Sequence, residues 1–273
     1  MSRADRIAHA FDPERLKAVG KSSAFVSYTC AGDPDLDTSV KIYRSLIEAG
    51  VDVLEIGVPF SDPLADGPTN QRASERALAN GMTSDRVFEL VRRVREISDE
   101  VPIVFYTYYN LVFSRGHEEY IQRAKAAGVD GILVLDLPPE EGEDHLALCK
   151  KHDLKTVLIV APTTPESRLP LISAAATGFI YYVSREGVTG ERTDLAQGVE
   201  ESLQKIRGTT TLPVVVGFGI SNQEQVRATA KSASGVVVGS AIVKKCENLS
   251  TDSEDGWAEF DEFLRDLVAG CTV

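Results

Sequence analysis

The strongest constraint on the fold of this 273-residue chain is a regular alternation along nearly its whole length. Eight short apolar runs, at 24–29, 51–56, 102–108, 129–135, 156–160, 179–183, 213–217 and 235–239, are each followed by a stretch with helical periodicity or helix-end signals. Continuous Val, Ile, Leu and Tyr runs mark strands covered on both faces, as in a parallel sheet. The tetrapeptide Ala-Gly-Val-Asp recurs at two strand entrances, residues 49–52 and 127–130. Eight β/α units and this repetition predict a closed (β/α)8 barrel, one domain over 1–273, with an open doubly wound sheet as the alternative.

Residues 1–20 carry apolar positions at Ile7, Ala10, Phe11 and Leu16 and are read as an extra N-terminal helix over one end of the barrel. Thr83 or Ser84 is expected to cap a helix, Ser221-x-x-Glu224 reads as a capping box, and Pro170 is expected to kink the helix that holds it. The polar, glycine-bearing segment 184–194 is read as a mobile lid. Residues 248–256 form a polar linker before a last helix whose Trp257, Phe260, Leu264 and Leu267 face the core.

A net charge of −12 argues against a nucleic-acid surface or an anionic membrane. It does not exclude a small anion held by backbone amides. Cys30, Cys149, Cys246 and Cys271 are far apart, without metal-ligand spacing, and read as reduced thiols. His9, His117, His145 and His152 fall in polar stretches and are taken as surface residues. The N-terminus lacks a signal-peptide core and no apolar run has membrane-spanning length, so a cytoplasmic protein is expected, or a plastid one after removal of a transit peptide.

Chemistry concentrates in the stretch 51–68. Pleat alternation puts Val51, Val53, Glu55 and Gly57 on one face, setting a carboxylate among valines. No Lys or Arg lies between Val51 and Gln71, so Asp52, Glu55, Asp62 and Asp66 have no cation nearby in sequence. Desolvation and like-charge crowding would raise a carboxyl pKa and produce a general acid usable at neutral pH. An isolated strand glutamate is ordinarily just solvated. Aligned on Gly-Val-Asp, however, position 55 corresponds to Leu133, so the architecture accepts an apolar residue there and something other than folding asks for the acid.

Barrel active sites lie at the carboxyl ends of the strands, and phosphate is commonly held by the last loops. Gly187, Gly190, Gly217, Gly219, Gly239 and Ser240 fall in three consecutive loops there. Strand-end glycines also occur for steric reasons alone; their co-occurrence favours an anion site. Tyr28, Tyr106, Tyr108, Leu133, Ile159, Tyr181 and Phe218 sketch a flat pocket suited to an aromatic substrate.

The segments Leu54-Glu-Ile-Gly-Val-Pro-Phe-Ser-Asp-Pro-Leu-Ala-Asp-Gly-Pro68, Tyr181-Tyr-Val-Ser-Arg-Glu-Gly-Val-Thr-Gly190, Gly217-Phe-Gly-Ile-Ser221 and Val238-Gly-Ser-Ala-Ile-Val-Lys244 resemble the tryptophan synthase α-subunit family in order and spacing. The resemblance spans Phe25 to Lys244 and implies a carbon–carbon lyase: cofactor-free retro-aldol cleavage of indole-3-glycerol phosphate to indole and glyceraldehyde 3-phosphate. By position, it implies that Glu55 is the catalytic acid/base, Asp66 the second catalytic carboxylate and Tyr181 the tyrosine beside them. It assigns phosphate to Gly190, Gly219, Gly239 and Ser240, and to Thr189 the lid contact that engages the second carboxylate when the loop closes. It further implies a pyridoxal-phosphate β subunit that receives the indole in an αββα heterotetramer, docking on Asp62, Pro63 and the Asn110 loop. Tyr28 and Tyr106 stand where bulky apolar residues often sit in the family. Competing readings are a stand-alone indole-releasing lyase, a non-catalytic phosphate-gated barrel and a sugar-phosphate isomerase; the last leaves the aromatic lining without a role.

Overall fold

The computed structural model describes residues 5–184, 193–217 and 219–272. Parallel strands β1 (Ala24–Cys30), β2 (Val53–Gly57), β3 (Ile103–Thr107), β4 (Gly131–Val134), β5 (Lys155–Thr156), β6 (Leu158–Val160), β7 (Ile180–Val183), β8 (Val214–Gly217) and β9 (Gly235–Val238) make one sheet, ordered β5-β4-β3-β2-β1-β9-β8-β7-β6. The terminal members β5 and β6 are halves of the same predicted strand, parted at Val157. One half pairs with β4 and the other with β7, so the sheet closes on itself as a (β/α)8 barrel and not as an open doubly wound layer.

Around it run α1 (Arg6–Ala10), α2 (Pro13–Ala18), α3 (Leu36–Glu48), α4 (Pro68–Ala79), α5 (Ser84–Ile97), α6 (Tyr109–Phe113), α7 (His117–Ala127), α8 (Glu143–Lys151), α9 (Leu169–Ala175), α10 (Thr193–Arg207), α11 (Gln223–Ala230), α12 (Ser240–Cys246) and α13 (Trp257–Ala269). Periodicity located the long helices well: Val87, Leu90, Val91 and Val94 of α5 are all buried, and Thr83 caps it by accepting from the Arg86 amide. It did not locate α4, whose buried face is only Ala73, Ser74 and Ala77.

The N-terminal segment is two helices instead of one, because Asp12 breaks the first and caps the second, with Pro13 in the first turn of α2. Ile7, Phe11 and Leu16 join the barrel interior with Val26, Val53, Leu133 and Val215, closing its floor. A side chain on Gly131 would meet Ile7 at 2.9 Å and one on Gly235 would meet Phe11 at 2.9 Å, so these bare strand starts admit the plug.

The repeated aspartates explain themselves here. Asp52 accepts from the Phe25 amide at 2.8 Å and pairs with Lys21 at 2.6 Å and with Arg15. Asp130 accepts from the Ile103 amide at 2.9 Å and pairs with Arg6 at 2.8 Å and Arg95 at 2.6 Å. Each ties the start of the preceding strand and finds two cations remote in sequence. Asp52 therefore belongs to the barrel floor and leaves the acidic group around Glu55.

Other expectations are corrected. Pro170 falls in the first turn of α9, after a 3₁₀ turn at Glu166–Arg168, and interrupts nothing. The cap of α11 is Asn222, which accepts from the Gln225 amide, while the Gln225 side chain accepts from the Ser221 amide, one residue off the expected box. His145 is buried: it bonds His117 at 2.8 Å in a stacked pair across α7 and α8, and burial pushes its pKa down to about 4. The linker 248–256 is stitched down, with Trp257 donating to the Ser250 carbonyl and the Thr251 amide to Thr38. Cys30, Cys149, Cys246 and Cys271 are free and buried. Among the described residues, no helix is long and apolar enough to cross a membrane.

Candidate active site

Strand alternation brings Glu55 inward, level with Tyr28 on β1 and Val104 on β3. It lies toward the carboxyl end of β2, where the barrel opens into a cavity of about 280 Å³. Glu55 lines that cavity with Tyr28, Asn70, Tyr106, Tyr181, Gly219, Gly239 and Ser240. Its side chain is 1% exposed and, among the described residues, neither carboxylate oxygen has a hydrogen-bond partner. Desolvation, reinforced by the charge of Asp66, raises its pKa to about 8. At neutral pH this group carries a proton.

Asp66 is half-buried on the loop after β2. Its carboxylate turns inward and accepts from the hydroxyl of Tyr108 at 2.7 Å, the hydroxyl of Tyr106 at 3.2 Å and the amide of Asn70 at 3.4 Å. Burial raises its pKa and these three donors oppose the rise. The Ala65 amide donates to the Tyr108 hydroxyl at 3.0 Å, fixing the loop above β2 to the end of β3.

The tyrosines are seated by glycines on the next strand. A side chain on Gly57 would meet the Tyr28 hydroxyl at 2.5 Å, and one on Gly217 would meet that of Tyr181 at 2.6 Å. Tyr28 and Tyr106 pack edge to face, centroids 4.9 Å apart. The expected aromatic pocket is therefore contiguous but divided. Tyr28, Tyr106 and Tyr181 line the first cavity. Leu133 and Ile159, register neighbours of Tyr106 and Tyr181, line a second of about 260 Å³ at the ends of β4 and β6. Tyr108 lines neither and instead holds Asp66.

Opposite Glu55, Gly219 takes φ +68°, a left-handed conformation that glycine adopts without strain. Gly239 is the N-cap of α12 and supplies no side-chain bond of its own, so the helix start faces the cavity through bare backbone and Ser240. This arrangement suits an anion. Thr189, Gly190 and Phe218 lie outside the described residues, as does most of the 184–194 lid. Asp62 is exposed and Pro63 half-buried on the loop after β2, while the exposed Asn110 lies in α6 and not on the expected loop. Asn70 is the site residue that sequence reasoning missed; its signal, a helix starting at Pro68 that carries it four residues past Asp66, was available only through Pro at a first-turn position.

A buried proton donor, a carboxylate close enough to raise its pKa and an anion cradle at the carboxyl end of a parallel barrel define a (β/α)8-barrel enzyme with an acid–base site. A family model described as tryptophan synthase alpha chain matches residues 15–271. A tryptophan synthase alpha chain from Opitutus terrae is 57% identical over 265 residues, covering 97% of this chain and 98% of that one. The tryptophan synthase subunit alpha of Legionella pneumophila superimposes with TM-score 0.87 at 33% identity, covering 98% of both chains. A chain of M. tuberculosis tryptophan synthase, in its aminoacrylate-bound form, does so with TM-score 0.85 at 30% identity, covering 98% of this chain and 100% of that one. The chain belongs to the tryptophan synthase alpha chain family.

Proposed function

We propose that Glu55 and Asp66 carry the family's retro-aldol cleavage of indole-3-glycerol phosphate to indole and D-glyceraldehyde 3-phosphate. The observation that supports this most directly is the buried, unpartnered carboxyl of Glu55, protonated at neutral pH and opening on a cavity. Cleavage needs a proton on the indole ring carbon, which destroys aromaticity and therefore needs a strong acid that is still protonated. Glu55 delivers that proton, and positive charge develops at the ring nitrogen, where ionised Asp66 stabilises it. The carboxylate left on Glu55 then takes the proton of the adjacent glycerol hydroxyl. The carbon–carbon bond breaks, its electrons restore the ring, and the hydroxyl carbon becomes the aldehyde. Tyr28, Tyr106 and Tyr181 hold the indole; Gly219, Gly239 and Ser240 hold the phosphate.

Every proton moves between side chain and substrate, so the reading needs no cofactor on this chain. Pyridoxal phosphate belongs to a β subunit, which takes the indole for condensation with serine within an αββα heterotetramer. Support for a partner comes from Leu64, 93% exposed, and Phe113, 64% exposed, beside Asp62, Pro63 and Asn110. The test mixes the purified chain with indole-3-glycerol phosphate, with and without a β subunit, and follows indole. Glu55→Gln is expected to fold and bind substrate but lose turnover by more than a hundredfold, and Asp66→Asn to be severely impaired. Indole release by Glu55→Gln at a tenth of the normal rate or more rejects the assignment.

A further inference from the structure

Three donors converge on the Asp66 carboxylate: Tyr106 of β3, Tyr108 just after it, and Asn70 of α4. Each oxygen of an ionised carboxylate offers about two acceptor directions. Oδ1 fills both of its own, with the Tyr106 hydroxyl and the Asn70 amide, while among the described residues Oδ2 accepts from Tyr108 alone and keeps one direction open. An ionised carboxylate accepts only, so the Asn70 group facing it is Nδ2; the amide oxygen of Asn70 is left buried without a partner beside the cavity. Asn70 is thus oriented by Asp66, and by nothing else among the described residues that the structure records.

From this geometry we infer that Tyr106 and Asn70 are positioning residues for the reaction. Together they fix the turn of the Asp66 carboxylate so that, among the described residues, one acceptor direction on Oδ2 is left for the ring nitrogen of the substrate.

The surroundings make such donors necessary. The ionisable groups facing Asp66 among the described residues are Glu55 from β2, Tyr28 and Cys30 from β1, and Tyr106 and Tyr108 from β3 and its end. None is cationic. With burial favouring the neutral acid and no positive charge among the described residues opposing it, hydrogen bonds to the ionised form supply the counterweight. Removing the Tyr106 hydroxyl frees a second direction on Oδ1 and lets the carboxyl take up a proton at higher pH. A phenylalanine at 106 keeps the edge-to-face packing on Tyr28, so it changes the hydrogen bond and little else.

This inference rests on the reading of Asp66 as the carboxylate that stabilises the ring nitrogen. The test compares wild type, Tyr106→Phe, Asn70→Leu and Asp66→Asn, each as the full chain bound to a β subunit. Turnover of indole-3-glycerol phosphate is measured against pH, and the Asp66 carboxyl is titrated by 13C NMR of aspartate-labelled protein, with Asp66→Asn identifying the resonance. In Tyr106→Phe, kcat is expected to fall about tenfold with KM within about twofold. The acid limb of kcat/KM and the Asp66 midpoint both move up by about one pH unit, and Asn70→Leu moves both in the same direction. An unmoved midpoint with wild-type kcat overturns the inference. So does a change confined to KM, which marks Tyr106 as pocket wall alone. If Asp66→Asn turns over normally, the reading of the site itself fails; if it is dead while Tyr106→Phe moves nothing, only the present inference fails.

Discussion

Glu55 sets stability against chemistry at one position. Its pKa of about 8 in the folded chain exceeds the ordinary 4.5, so between those values the native state holds a proton that the unfolded state has released. Stability contributed by this group is therefore present below about pH 4.5 and declines as pH rises toward 8. Glu55→Gln is neutral throughout and escapes the decline. The difference in Tm between variant and wild type is expected to be small near pH 5 and to grow to roughly 3–10 °C by pH 9, from about 1–3 kcal/mol for an unsatisfied buried group. In free enzyme the same titration sets the alkaline limb, so kcat/KM falls above about pH 8 as the donor loses its proton. The Tm difference should level off near the pH at which kcat/KM falls, because both changes end with loss of the Glu55 proton from the folded chain. Parallel Tm curves for variant and wild type across the range would show that the carboxyl is not held neutral.

The strand β2 and its relative β4 show how much of this was legible and where it stopped. Strand positions, barrel closure and the inward aim of Glu55 followed from periodicity, and the comparison with Leu133 was informative because both residues occupy the same place in equivalent strands, facing one interior. Contacts between distant segments were not legible. Asp52 looked cation-free because Lys21 and Arg15 lie 31 and 37 residues away. His145 looked exposed because its cover, His117, sits on another helix. Asn70 stayed hidden because α4 packs through alanines and a serine, which carry almost no apolar stripe. The repeat itself yields a prediction: its aspartates pin strand starts and do no chemistry. Asp52→Ala strands Lys21 in the buried floor and should cost about 3–5 kcal/mol in urea denaturation, with kcat of the folded fraction unchanged. A loss below about 1 kcal/mol would mean that the plug and the strand are held by packing alone.

Across the whole molecule, the site and the exposed apolar loops are one connected piece. Leu64 precedes Ala65, whose amide bonds the Tyr108 hydroxyl, which in turn bonds Asp66; Phe113 ends α6, directly after Tyr108. A chain of net charge −12 that leaves these two large side chains bare at the open end of the barrel has an exposed apolar patch there, the one the proposed function gives to a β subunit. Since neither residue lines the cavity, their loss should act on association and spare the chemistry of the isolated chain. Leu64→Asp and Phe113→Asp are each expected to weaken binding to a β subunit by tenfold or more, about 1.4 kcal/mol, as when a hot-spot anchor is removed and a charge is desolvated in its place. Activation by the β subunit should fall in parallel, while indole release by the free chain stays within about twofold of wild type. Isothermal titration measures the first and stopped assays the other two. If both variants bind normally, the partner docks elsewhere and these side chains are bare for another reason; if the free chain slows sharply, the loops serve Asp66 directly and not through association.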